Sequence, residues 1–397
     1  MKIEQPILGK TGMLLFLVLM SAFPPLTTDL YLPALPTMVE VFATNQATVN
    51  LTLTVYFGTY AVGLLFWGPL SEMFGRKPIM LIGAGLYTVA SIFCVMADNI
   101  EGLILARVLQ AFGGSAITVV TAAIVKDLYD GIEREKIMAT IMSLVVIAPM
   151  VAPTIGSLLL KFATWRMIFG ALAVFGCLCI ILSLCYRETL TTRYAGSILR
   201  SWGRLIVVLK NPKFVFYLGV FSLTPMAMMG FVAASSYIYI DHFGFTESSF
   251  SIAFGLNALF ASLGPRLYIM LSKHFTKHKI IRFYFVLITI CGCLTYFIGA
   301  MFPWLFAAIT AVATMAMIST RVPGTNILLE QQEHDTGSAV ALIQFFSMMC
   351  GAIGMLLVSI PADSIIQSLA LIQIIIGLTC LILWTFVKQE CQPKLLS

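Results

Sequence analysis

The chain has 397 residues, 59% of them hydrophobic and only 11% charged, with a net charge of +6 and a mean hydropathy of +0.96. Ordinary globular domains carry about a quarter charged residues, so this balance excludes a soluble enzyme and points to an integral membrane protein. The positive excess needs no nucleic-acid partner, because it collects in loops on one side of the predicted spans.

A spanning helix needs about 20 mostly apolar residues, and the sequence offers about twelve such stretches. They are predicted at 13–34, 48–69, 79–97, 101–125, 137–160, 166–186, 213–240, 248–271, 281–300, 303–329, 337–359 and 364–387. One face collects Lys2, Lys10, Arg76, Lys77, Lys126, Arg134 and Lys136, the basic run from Arg187 to Lys213, Lys273, Lys277, Lys279, Arg282, Lys388 and Lys394. The other receives Lys161 and Arg166 beside Glu40, Asp98, Glu101, Asp241, Glu247 and Asp363. The positive-inside rule therefore predicts both termini in the cytoplasm. The first stretch is long and shows no small-residue cleavage site, so it reads as an uncleaved helix and not as a secretory signal.

That first span contains FPPLTTDLYLPALP, Phe23 to Pro36, in which Asp29 stands among four prolines. A carboxylate at the centre of a spanning helix costs about 2.5–3.5 kcal/mol on insertion scales. Such a group is kept only where a bundle interior or an aqueous cavity serves it. In the fourth span Arg107 recurs with Gln110, Ala111, Gly114, Thr118 and Thr121 at three- and four-residue spacings, forming one polar or small face. Loss of water favours the protonated form of a carboxyl group and a nearby arginine favours the ionised one. Asp29 and Arg107 are therefore predicted to couple transport to protons, with a permanent structural ion pair as the alternative.

Between the second and third spans runs GPLSEMFGRKPI, Gly68 to Ile79. It resembles the Gly-x-Leu-Ser/Ala-Asp-x-x-Gly-Arg-Lys/Arg loop of the major facilitator superfamily. Gly68, Leu70, Ser71, Gly75, Arg76 and Lys77 match, while Glu72 stands for the usual Asp. Such a loop would act as a cytoplasmic gate, with glycines permitting a tight turn and charges pairing with a helix end in one state only. RVLQAFGGS around Arg107 is similar to the family's fourth-helix arginine motif. APMVAPTIGS, with Ala148, Pro149, Ala152, Pro153, Gly156 and Ser157, is similar to its fifth-helix antiporter signature. DLYLPALP and the later RETL resemble the bicyclomycin/chloramphenicol-resistance branch of drug:proton antiporters. The resemblance implies an all-α integral membrane fold of twelve transmembrane helices in two six-helix bundles, a monomer without cofactor in the bacterial cytoplasmic (inner) membrane. Ser21 occupies the place where related antiporters can carry a second acid, which leaves Asp29 as the membrane carboxylate of the first helix.

The polar stretch 187–212 divides the chain into predicted bundles 1–186 and 213–397 joined by a cytoplasmic linker. LSEMFGRK at Leu70 recurs as LSKHFTKH at Leu271, and Gly63/Gly264 and Pro24/Pro225 keep the same offset, as parallel-repeat transporters would show. In the second half Arg266 and Arg321 interrupt spans and favour a carboxylate or phosphate ligand, unless they reach the interface or cap proline-broken helices. Tyr56, Tyr60, Gln110, Phe231, Tyr237, Tyr239, Asn257, Gln344 and Phe345, with Met226, Met228 and Met229, are candidate cavity-wall residues.

Three function classes follow. The first is a proton-coupled exporter of a small amphipathic compound, working by alternating access. The second is a dedicated carrier of an anionic metabolite such as a carboxylate siderophore. The third, a membrane enzyme or receptor, has little support: His242, His274, His278 and His334 lie in or beside loops, and no zinc or nucleotide motif is present. No metal site is expected.

Overall fold

The computed structural model describes residues 3–145, 147–191, 198–332, 336–360 and 364–387. Lys2, Arg193, His334, Asp363, Lys388 and Lys394 lie outside them, as does part of the predicted linker. Within the described residues all regular structure is helical. The first half comprises α1 (Gly9–Ser21), α2 (Phe23–Asp29), α3 (Leu35–Val41), α4 (Gln46–Phe74), α5 (Arg76–Val95), α6 (Ile100–Leu128), α7 (Gly131–Val145), α8 (Ala148–Phe162) and α9 (Arg166–Cys185). After α10 (Ile198–Leu209), the second half comprises α11 (Pro212–Tyr237), α12 (Glu247–Ser262), α13 (Gly264–Ser272), α14 (Lys277–Ile298), α15 (Pro303–Glu330), α16 (Thr336–Val358) and α17 (Ile365–Thr385).

Among the described residues ten helical stretches, with α12 and α13 taken together as one, are long and apolar enough to span a bilayer, or eleven if α1 and the bent segment Phe23–Val41 count as one. The twelve predicted from sequence are thus not all found by length. The shortfall lies in the predicted span 137–160, which is divided into α7 and α8. Pro149, at the start of α8, has no N–H to offer the Val145 carbonyl that ends α7. The predicted span 248–271 is likewise broken, at Leu263 beside Pro265.

Prolines also shape the first span. Pro24 and Pro25 remove the N–H groups that would bond Met20 and Ser21, and the helix bends by 41°. Pro33 then withholds its partner from the Asp29 carbonyl, and the chain passes through a tight turn at Leu32–Ala34.

Packing relates the two halves unequally along their length. One hydrophobic core joins Leu30, Tyr31 and Leu53 of the first half to Phe231, Tyr239, Phe250 and Met355 of the second. A separate core, confined to residues after 205, gathers Phe214, Ile281 and Trp384 at the other end. Within the first half the shared core also reaches Trp67, Ile79 and Tyr129 near the Gly75 turn, but its members from the second half pack at the opposite end, marked by Asn50.

Candidate functional site: a broken helix, a buried arginine and a charged turn

Asp29 closes α2 and is 8% exposed. Its carboxylate accepts a 2.9 Å hydrogen bond from the Thr28 hydroxyl, and no cation lies within 4.0 Å of it among the described residues. The threonines also turn inward on their own helix: Thr27 donates to the Phe23 carbonyl at 2.9 Å, and the Pro24 carbonyl, 3.0 Å from the Thr28 hydroxyl, is that hydroxyl's alternative acceptor to Asp29. Such back-bonding bends helices, which reinforces the proline break.

Arg107, in the first third of α6, is fully buried. Its Nη1 donates to Gln110 Oε1 at 2.6 Å and its Nε to the Thr52 carbonyl at 3.4 Å. The guanidinium carbon stands 4.3 Å from the Tyr56 ring centroid and 5.4 Å from that of Tyr31. Cation–π contact of this kind strengthens where water is excluded. Gln110 passes the network to Ser91 at 2.8 Å. The alternative of a permanent Asp29–Arg107 ion pair is not formed: tyrosine rings, a glutamine and a backbone carbonyl hold the arginine instead. Nη2 of Arg107 and the hydroxyls of Tyr56, Tyr237 and Tyr239 have no hydrogen-bond partner among the described residues.

The small-residue run of α8 explains how the broken segment is held. A Cβ on Gly156 would stand 2.1 Å from the Leu30 carbonyl, so only glycine lets α8 approach the backbone immediately after Asp29. On the same helix the Pro153 carbonyl accepts from Ser251 of α12 at 2.8 Å. Ala148, Ala152, Pro153 and Gly156 are buried, and Pro149 sets the start of the helix. This stretch is thus wedged between the Asp29 segment and the second half of the chain.

At the other end, Gly75 adopts φ +109°, and a Cβ there would meet the Glu188 carboxylate at 2.7 Å. Arg76 is buried, donating to Asp127 at the end of α6 (2.9 Å) and to Ser71 (2.8 Å). Glu188 accepts from the Lys77 amide at 2.9 Å, where a carboxylate complements the N-terminus of α5. Its other oxygen accepts from the Thr189 and Leu190 amides, and the Lys77 ammonium reaches the Leu184 carbonyl at 2.7 Å. Asp127 and Glu188 escaped the sequence analysis as gate residues. RETL marked the second of them, but nothing local to it names its partner. Glu72 is half-buried and forms neither hydrogen bond nor ion pair among the described residues; it faces a cavity.

That cavity, about 470 Å³, lies between α4 and α6 on one side and α16 on the other, with α10 beside it. Leu64, Gly68, Glu72, Thr118, Lys126 and Gln344 contribute to its wall. Tyr60 stands just behind, donating to Thr118 at 2.6 Å. Gln110, Phe231, Tyr237 and Asn257 are buried elsewhere. Phe231 stacks on Phe254, and Asn257 accepts from Thr314 at 3.0 Å. A second cavity, about 130 Å³, is lined by Arg321, Met228 and Met229. Arg266 is exposed on α13 and lines neither cavity.

Residues 15–355 match the family model described as Major Facilitator Superfamily. The chain is 31% identical over 338 residues to the "Uncharacterized MFS-type transporter YdgK" of Bacillus subtilis, covering 83% of this chain and 84% of that one. It is 27% identical over 372 residues to a "Chloramphenicol resistance protein" of Pseudomonas aeruginosa, covering 89% and 86% respectively. Its fold is similar to that of a "peptide transporter POT in complex with sulfate", with a TM-score of 0.78 at 12% identity over 97% of this chain and 95% of that one. The chain is therefore a transporter and not an enzyme, it resembles the drug-resistance branch, and it belongs to the Major Facilitator Superfamily.

Proposed function

We propose that this transporter exports small amphipathic compounds in exchange for protons, by alternating access between two six-helix halves, 1–186 and 213–397, joined by the segment 187–212. The Gly75 end gathers the basic loops, so the positive-inside rule assigns it, with both termini, to the cytoplasm of a bacterial inner membrane. A cavity open toward that end and a core sealed at the other correspond to a cytoplasm-facing state. The resistance protein among its relatives supports a drug-like cargo.

The observation that carries proton coupling is Asp29: a buried carboxylate in a proline-broken helix, bonded to Thr28 and held by no cation. A carboxyl group so placed binds a proton readily and gives it up when water or a cation reaches it. Arg107 acts through the network beside Tyr31, and the unpartnered donors near the shared core are available to polar groups of a cargo when the halves part. Glu72, opposite Ser338 of α16 across the cavity, and the Arg76–Asp127 pair serve as the cytoplasmic gate.

Proteoliposomes with a trapped pH dye test this. Chloramphenicol added to the wild type is expected to drive proton movement, and Asp29→Asn to abolish that signal while still binding the compound. Unchanged proton movement in Asp29→Asn would sink the reading. Carriage of an anionic metabolite is a second reading, favoured by one observation: Arg321 lines a cavity and has no hydrogen bond or ion pair among the described residues.

A further inference from the structure

Arg321 and the small cavity beside it have no part in the export mechanism above. The cavity lies wholly within the second half, between α11, α15 and α16. Prolines weaken both long helices at its level. Pro225 in α11 withholds an N–H from the Phe221 carbonyl, which the Thr224 hydroxyl satisfies instead at 3.2 Å. Pro323 does the same to the Ser319 carbonyl two residues before its own Arg321 neighbour on α15.

Arg321 keeps over a third of its surface accessible and contributes to the wall of this cavity. It has no hydrogen bond or ion pair among the described residues. Glu330, the next acid along its helix, is engaged by Lys277 at 3.0 Å. Arg107 differs: fully buried, it directs Nε and Nη1 to Thr52 and Gln110. A guanidinium lining a mostly apolar cavity with its fork unused is matched by an oxyanion, which it can bind bidentately. The rest of the lining sets what the anion carries. Met228, Met317 and Met348 offer polarizable, adaptable apolar contact, and Ser347 offers a hydroxyl. At about 130 Å³, the space falls well below the roughly 300–1,000 Å³ of drug-sized pockets, which leaves a siderophore no room.

We propose that this cavity binds a small organic monocarboxylate, its carboxylate forked onto Arg321 and its compact apolar body against the three methionines. The site depends neither on proton coupling nor on export. A lipid phosphate shares the same oxyanion chemistry; the methionine wall favours the free carboxylate.

The test is equilibrium binding of sodium benzoate to the full chain in lipid-free detergent, with benzamide as the uncharged control. Saturable benzoate binding is expected, weakened about tenfold or more in Arg321→Gln and less in Arg321→Lys, which keeps charge but not the fork. Benzamide is expected to bind at least about tenfold more weakly than benzoate. Ser347→Phe fills the cavity while leaving Arg321 in place, and is expected to abolish binding even if the arginine variants fold poorly. Absence of saturable benzoate binding overturns the proposal, as does benzamide matching benzoate or binding indifferent to Arg321. Phosphatidylglycerol binding that requires Arg321 and is not displaced by benzoate would reassign the guanidinium to a lipid headgroup.

Discussion

The two ends of the bundle are held by different physics. At the Asn50 end the halves share apolar burial: Leu30 and Leu53 belong to the same core as Tyr239, Phe250 and Met355. At the Gly75 end each strong contact of the gate turn stays within the first half, as in Arg76–Asp127 and Lys77–Glu188, and a cavity of about 470 Å³ separates that half from α16. The contrast separates two tasks. Under the proposed alternating access, non-directional burial across the halves can be broken and remade as they rock, whereas an ion pair and a carboxylate–amide bond within one half hold the turn together while its surroundings move. Changes at one end should therefore leave the other largely intact.

The largest effect expected is at the Gly75 end. Arg76→Ala removes one partner of a pair whose side chains are 7% and 17% exposed. Breaking a buried pair costs about 3–5 kcal/mol, and Asp127 can take up some water, which places this change near 3 kcal/mol. The thermal midpoint should fall, while labelling of Ser359→Cys at the opposite end stays at its wild-type rate. Faster labelling there would show that the two ends are coupled. Gly156→Val acts on the sealed end instead. Its Cβ would overlap the Leu30 carbonyl at 2.1 Å, so α8 must move away from the Asp29 segment. Overpacking of this sort costs about 1–3 kcal/mol. Proton movement per chloramphenicol bound should drop more than binding does, because the displaced backbone belongs to the residue after Asp29. Equal loss of both would deny α8 a role in coupling.

What the sequence disclosed, and what it hid, follows the range of the interactions. The break in the first span was legible because proline acts on the residue four before it, and the Gly75 turn because positive φ favours glycine wherever the fold puts it. The polar face of α6 was legible from its periodicity. Gly63 and Gly264, which share an offset in the repeat, also sit alike, each against a serine on a neighbouring helix, Ser115 and Ser319. The partners of the gate were not legible. Asp127 lies 51 residues from Arg76, and Glu188 lies 111 from Lys77; contacts at such separation leave no local pattern. Nor could residue type divide wall from core. Tyr56, Phe231 and Tyr237 are suited to both and are buried, while Leu64 and Val119 line the cavity. Arg266 and Arg321 both stand near a proline in an apolar span, and only the rotation of each helix brings one of them to a cavity.

The smallest effect sharpens the comparison most, because it asks whether anything polar helps to hold the sealed end. Asn50 Nδ2 donates to Ser359 Oγ at 2.7 Å, across the two halves and away from water. The serine hydroxyl has another outlet, donating to the Met355 carbonyl at 2.7 Å, whereas Asn50 Oδ1 has no partner among the described residues. The two ends of this one bond are thus unequal. Asn50→Ala removes a hydrogen bond together with an unsatisfied acceptor, so its net cost should stay below about 1 kcal/mol, less than fivefold in the balance between the two states. Ser359→Ala instead strands the whole buried amide, at about 1–2 kcal/mol. Labelling of Thr54→Cys, one turn inside the seal, should accelerate more in Ser359→Ala than in Asn50→Ala. If neither change alters the rate, the shared apolar core alone keeps that end shut, and the division between burial at one end and charge at the other is complete.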